Sequence, residues 1–443
     1  MPGFRTLLLL LALAVIAPSC NRFLDEARDN PNEPTVVTPE VLLPSILVNL
    51  AYTQQGEMSR ITSLWVQHAR GTARCYTMDI YLITSQDTDI WWRNLYQGAL
   101  GNARRLIEFS EENGATQYAG IGKLLLAYTG MALTDMVGDA PFSQAGLGYG
   151  NLTPPYDRQA AIYTQVFSLI GEAKTAFAAA PAPISPNNDD LIFGGNATAW
   201  NRFAHFLEAR AHLHLAKRDP AHYAQALAAL DAGAFASSAD DATLQWGTGA
   251  TSAGPYNQYI TARNDFIWEG RVFELMAGLA DPRAGVYRDT SGIFGAELGE
   301  YFARPDASYF FGSYVEQKFI EAEAAFLTGD RARAATAYNA AVTAALARHN
   351  LDDPVYLAAQ ADFNATSIRL ENIMNQKYIA LYLDPESYSD WRRTGFPILQ
   401  ASANNVTNGV IPRRVPYPES ERLYNPDNFR AVAITAPVWW DED

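Results

Sequence analysis

The chain has 443 residues, is 48% hydrophobic and carries 48 acidic against 33 basic side chains, a net charge of −15. That length and apolar content support a proper core in one large domain, or in two or three small ones. The acidic balance argues against a nucleic-acid partner, whose phosphates need a basic face, and against a polybasic membrane patch.

Met1–Arg5 is a short positive start and Leu7–Ile16 an unbroken apolar run, followed by the small residues Ala17-Pro18-Ser19. This predicts a signal peptide over residues 1–19, too short to span a bilayer. Ala17-Pro18-Ser19-Cys20 resembles a bacterial lipobox, whose cysteine is lipidated and becomes the mature N-terminus; Ala17 stands where Leu is usual. Plain secretion, with Cys20 a chance residue, is the alternative. Removal of the leader takes only Arg5 among charged residues and leaves a net charge of −16. If Cys20 is acylated, Cys75 has no disulfide partner. Residues 20–39, rich in Asn, Pro and Asp, have no periodicity and read as a tether.

From residue 40 to 443 the expectation is one mainly α-helical domain built of tetratricopeptide-like hairpins, with long irregular loops forming the ligand face. Thr38 and Pro39 supply a cap and a first-turn proline for a helix whose Leu42, Leu43, Ile46 and Leu50 share a face. Periodic segments follow at Asn94–Ser110, Tyr118–Thr134, Asp157–Ala180, Thr198–Ala216, Ser313–Thr328 and Arg331–Arg348. Trp200, Phe203, Ala204 and Leu207 fit the first helix of a tetratricopeptide repeat, and Ala334, Tyr338 and Ala341 the second. Stacked hairpins of this kind bury a continuous core. Asp240–Gly312 and Gly395–Asp443 lack periodicity, and long irregular segments carry function or wrap the scaffold.

Several blocks in order resemble the SusD/RagB-type lipoproteins. They begin at Asn30-Pro31-Asn32-Glu33-Pro34 and Tyr118-Ala119-Gly120-Ile121-Gly122-Lys123. Gly138-Asp139-Ala140-Pro141-Phe142 and Asp190-Leu191-Ile192-Phe193-Gly194-Gly195 follow. Asp390-Trp391-Arg392-Arg393-Thr394-Gly395 and Ile411-Pro412-Arg413-Arg414-Val415-Pro416-Tyr417-Pro418 close the series. Ala140 departs from the usual Val or Ile. The resemblance implies a lipid-anchored outer-membrane protein facing the cell exterior. It would bind oligosaccharide or another nutrient and deliver it to a SusC-like TonB-dependent transporter, without being an enzyme.

Two segments carry the candidate ligand residues. The first holds Trp91, Trp92, Arg93, Asn94 and Tyr96, in the region where the family places glycan-stacking aromatics. Neighbouring helical residues point about 100° apart, so one indole should pack and the other stand near the surface, ready to stack on a sugar. The second holds Tyr256, Tyr259 and Trp268, beside Arg263, Asp265 and Phe266. Ordinary packing is the competing reading for both.

No metal or other cofactor is expected. Asp87-Thr88-Asp89, with Asp79 nearby, could ligate Ca2+ but lacks the EF-hand ladder and its glycine, and helix capping is the plainer account. His205, His212 and His214 have spacings that do not converge on zinc. Asp135 and Asp139 read as a helix end and turn rather than a glycosidase pair. Arg392-Arg393 and Arg413-Arg414 are expected to tie the C-terminal segment to helix acids as exposed pairs of little energetic weight. An exported all-α glycoside hydrolase and a helical-repeat interaction scaffold without a small-molecule site are the alternatives.

Overall fold

In the computed structural model, residues 37–292 and 295–442 are described. The leader, Cys20 and most of the tether lie outside them. Helix α1 (Pro39–Thr53) opens with Thr38 at the cap and Pro39 in the first turn, although the Thr38 side chain makes no capping bond. It runs through a π-helical turn (Gln54–Met58) into α2 (Ser59–Trp65). A short α3 (Asp89–Arg93) leads into a second π-helical stretch (Asn94–Gly101) and then α4 (Asn102–Glu112). The single helix expected over Asn94–Ser110 is thus split by a change of helical period.

The π-helical stretch packs closely on α1. A Cβ on Gly98 would lie 2.1 Å from the Asn49 side-chain nitrogen. Only a residue without a side chain lets α1 approach so closely.

The long hairpins follow as α5 (Thr116–Val137), α6 (Gln159–Ala178), α7 (Ala197–Leu215) and α8 (Ala221–Asp231), each packed against the next. Asn196 caps α7 by accepting from the backbone N–H groups of Thr198 and Ala199. Beyond the irregular middle come α9 (Pro255–Ala262), α10 (Tyr314–Leu327), α11 (Arg331–Ala347), α12 (Leu370–Ala380) and α13 (Glu386–Thr394). α10 packs on α8, α11 and α12. The helical-hairpin architecture is the one expected. One apolar core runs from α1 to the C-terminal segment, and a second, centred on Phe319 and Tyr338, lies under the α10–α11 hairpin.

The irregular middle is held by pairing with distant chain. Phe266–Ile267 forms an antiparallel ladder with Arg70–Gly71, and Ala242–Gln245 with Ser308–Gly312. The first ladder brings the α9 region against the loop that follows α2.

The C-terminal segment wraps the scaffold, and its ties are deeper than expected. Arg392, Arg393 and Arg414 are buried, not exposed. Arg393 donates to both oxygens of Glu323, at 2.7 and 3.0 Å, and to Asp390 at 2.6 Å. Arg392 donates to the Asp135 carbonyl at 2.6 Å, and Arg413 pairs with Asp441. The arginines reach into the core because the segment lies over the C-terminal end of α5. There the Val415 N–H bonds the Met136 carbonyl at 2.9 Å.

Asp135 is a structural hub. It accepts from the Tyr163 hydroxyl at 2.5 Å and the Trp440 indole at 2.8 Å, and lies 3.1 Å from His214 Nδ1. Glu386 meets His214 Nε2 at 2.6 Å. Burial pulls the His214 pKa down, but the two flanking carboxylates outweigh it and raise it to about 9. Gly138, at φ +83°, ends α5 as a turn.

Candidate functional site

Two grooves flank α3. The first, groove A, has a volume of ≈ 520 Å³ and lies between α1–α2, the loop around Cys75, the N-terminal turn of α3, and α9. It joins the two candidate segments: Asp87 and Ile90 on one wall, Tyr259, Arg263 and Asp265 on the other. Tyr259 is half-buried. Its hydroxyl donates to Asp265 at 3.2 Å and meets the Cys75 sulfur at 3.0 Å. The Arg60 guanidinium carbon lies 4.6 Å from its ring centroid, and Glu57 holds Arg60 at 2.5 Å. Burial raises the pKa of both the Tyr259 phenol and the Cys75 thiol, so the groove presents a neutral tyrosine and no thiolate at neutral pH.

The acids of groove A are engaged. Glu57 pairs with Arg60. Asp265 accepts from Tyr259. Asp87 accepts from the Thr84 N–H at 2.7 Å and hydroxyl at 2.8 Å, closing the turn before α3. Asp89, for its part, accepts from the Ser420 N–H at 2.9 Å. Of the three acids weighed for Ca2+, Asp87 therefore closes a turn, Asp89 holds the C-terminal segment rather than capping its own helix, and Asp79 is buried. Among the described residues no group of three or more His, Cys, Asp or Glu is gathered as a metal site. What remains for a ligand is a half-exposed aromatic plate edged by Gln86, Gln258 and the exposed Arg74 and Arg263. That is a surface for stacking and hydrogen bonding rather than for acid–base chemistry.

The second, groove B (≈ 730 Å³), lies on the other side of α3 and receives Trp92, Arg93 and Tyr96. Tyr96 donates its hydroxyl to the Pro141 carbonyl at 2.6 Å. The expectation that one of the paired indoles stands near the surface is not met. Trp91 and Trp92 are both buried, at 0% and 5% exposure. The helical geometry does send them in different directions, but two layers cover them. Trp92 packs on Tyr96 at 4.6 Å and under Tyr417 of the C-terminal wrap at 6.2 Å. Asn94 is half-buried and lines neither groove.

Tyr256 and Trp268 are core residues too. Tyr256 bonds Ser59 at 2.6 Å, and Trp268 stacks on Phe266 at 5.3 Å. Of the candidate residues, groove A therefore gathers Tyr259 alone. Its other partners, Tyr52, Glu57 and Arg60, come from the α1–α2 helix and escape a reading of the sequence. The one local sign is the polar run Gln54-Gln55-Gly56-Glu57 interrupting an apolar helix, where the π-turn forms.

The chain belongs to the SusD-like family described as starch-binding and associating with the outer membrane, whose model matches residues 31–418. No curated relative matches. Among solved structures, a chitin-binding protein is similar with a TM-score of 0.78 and 22% identity, over 92% of this chain and 100% of that one. A SusD/RagB family protein from Bacteroides thetaiotaomicron aligns with a TM-score of 0.74 and 21% identity, over 92% and 99%. A chitin-binding SusD homologue from Flavobacterium johnsoniae gives 0.73 and 21%, over 91% and 98%. These likenesses show the SusD-like helical fold.

Proposed function

We propose that this protein is a non-enzymatic receptor that captures an oligosaccharide in groove A. Anchored through a lipid on Cys20 at the outer membrane and facing outward, it passes the ligand to a SusC-like TonB-dependent transporter. The observation that carries the reading is the meeting of Tyr259, Arg60 and the polar rim in one open groove formed by both candidate segments. The family description and the chitin-binding names of two structural relatives support a saccharide as the class of ligand. The leader and the lipobox-like run support the anchor. The engagement of Glu57, Asp87 and Asp265 favours binding over hydrolysis, which needs two carboxyl groups free to act across a sugar.

The test is affinity electrophoresis of the chain from Asn21 onward against a panel of polysaccharides, with Tyr259→Ala alongside and an assay for reducing ends. Retardation by one polymer that weakens in Tyr259→Ala, without cleavage, is expected. Cleavage would sink the receptor reading, and retardation indifferent to Tyr259 would sink the site.

A further inference from the structure

A third cleft lies between the N-terminal end of α6 and the C-terminal wrap, separated from groove B by the contacts of Tyr156 with Glu421 and of Tyr417 with Trp92. It has a volume of ≈ 510 Å³, and its lining includes Arg158, Arg414 and Arg430 together with Tyr156 and Trp439. Three guanidinium groups on one cleft are conspicuous in a chain of net charge −15.

None of the three makes an ion pair among the described residues. Arg158 is exposed and donates no side-chain hydrogen bond there. Arg430 is exposed and donates only to the carbonyls of Asp427 and Phe429. Arg414 is buried, and its donors go to the carbonyls of Ala436, Val137 and Pro437. Carbonyls satisfy its hydrogen bonds, and Asp139 acts on its charge without a direct ion pair. Two carboxylates share the lining: Asp139, which accepts from the Gln159 N–H at 2.8 Å and faces the Arg414 charge, and Glu442, 3.7 Å from Arg218, so three guanidinium groups stand against two acids.

We infer that this cleft is a second ligand site, and that it takes an acidic saccharide, one carrying a carboxylate. Planar guanidinium groups recognise carboxylates by paired charge-assisted hydrogen bonds. The volume exceeds what an inorganic anion needs and lies within the range of small-molecule sites. Trp439 and Tyr156 add ring surface of the kind that packs on a pyranose. The inference does not depend on the reading of groove A.

The experiment is isothermal titration calorimetry of the chain from Asn21 onward with digalacturonate, with its neutral galactose counterpart, and with inorganic phosphate. Arg158→Gln/Arg430→Gln and Tyr259→Ala are titrated beside it. Arg158 and Arg430 are exposed, so the double variant should keep the wild-type thermal midpoint. The expected result is binding of digalacturonate but not of the neutral sugar, weakened about tenfold or more in the double arginine variant and unchanged in Tyr259→Ala. Absence of binding at millimolar digalacturonate overturns the inference. So does equal binding of the neutral sugar, or affinity unchanged in the double variant. Phosphate competing as well as digalacturonate would show a site that reads charge alone, and would overturn the assignment to a saccharide.

Discussion

Arg60 sits over Tyr259, its guanidinium carbon 4.6 Å from the ring centroid, while Glu57 grips it from one turn away in the helix. The cation supports one side of the ring, and Asp265 and Cys75 fix its hydroxyl end. A ring held on several sides loses little freedom when a ligand stacks on it. Tyr259→Ala should weaken saccharide binding about tenfold, whereas Tyr259→Phe, which keeps the ring, should retain most of the affinity. Affinity electrophoresis of the two variants side by side reads the difference, and equal loss in both would assign the effect to the hydroxyl.

Trp91 gives the opposite signature. Its side chain is fully buried and its indole nitrogen has no hydrogen-bond partner among the described residues. Trp91→Ala should cost about 3–5 kcal/mol of stability through the cavity it leaves. Trp91→Phe should cost far less, because it also removes an unsatisfied donor. Urea unfolding separates these. Ligand affinity per folded molecule should be unchanged in both.

The pH dependence follows from four histidines, His68 and His214 buried and His212 and His349 half-buried. Burial holds His68 and His349 neutral, with pKa values lowered from 6.5 to about 3, and His212 is lowered to about 4. The unfolded chain protonates each of them near pH 6.5, so the stability they contribute is present above that pH and is lost as pH falls through the folded values. His214, raised to about 9, works the other way: its contribution is complete below pH 6.5 and is lost as pH rises through 9. Asp384, which burial raises to about 7, acts in the sense of His214 between pH 3.8 and 7 and offsets one of the three acid-limb histidines. The urea midpoint should therefore peak near pH 6.5. His214→Gln should lower the peak and flatten the alkaline fall; a wild-type midpoint that climbs steadily to pH 9 would contradict the assignment.

Two ion pairs of similar length should differ widely in weight. Arg393 and Glu323 are both buried. Arg393→Met should destabilise by about 3–5 kcal/mol, since it strands a buried carboxylate. Arg333 and Asp231 meet at 2.6 Å on the surface, with Asp231 60% exposed. Asp231→Ala should change stability by about 0–1 kcal/mol. Thermal unfolding of the two variants gives the contrast directly.

The helices were legible because their signals are local. Thr38-Pro39 before an apolar stripe, Gly138 after α5 and Gly329-Asp330 between α10 and α11 all mark ends that the structure keeps. The two π-turns were not legible; each holds a glycine pressed by a residue far along the chain, Asn49 against Gly98 and Pro255 against Gly56. The site was legible only in outline. Both candidate segments do border the grooves, but which ring faces out is decided by what lies on top. Tyr417, distant in the sequence, covers Trp92. Tyr259, with Arg60 over its ring and Phe266 against it at 5.4 Å, stays half-exposed. The weight of the buried arginines was missed for the same reason, since periodicity says nothing of a segment that returns to seal the end of a helix.

That returning segment also orders the making of the protein. Asp135, in the first third of the chain, has a buried carboxylate that relies on Trp440, almost the last residue, for one of its donors. Residues 411–441 close over the end of α5 and lie on Trp92. A polypeptide synthesised N-terminus first cannot close that part of the core until residues 411–441 have been added. Chains that stop early expose the seam, which leaves a protease able to tell unfinished molecules from finished ones.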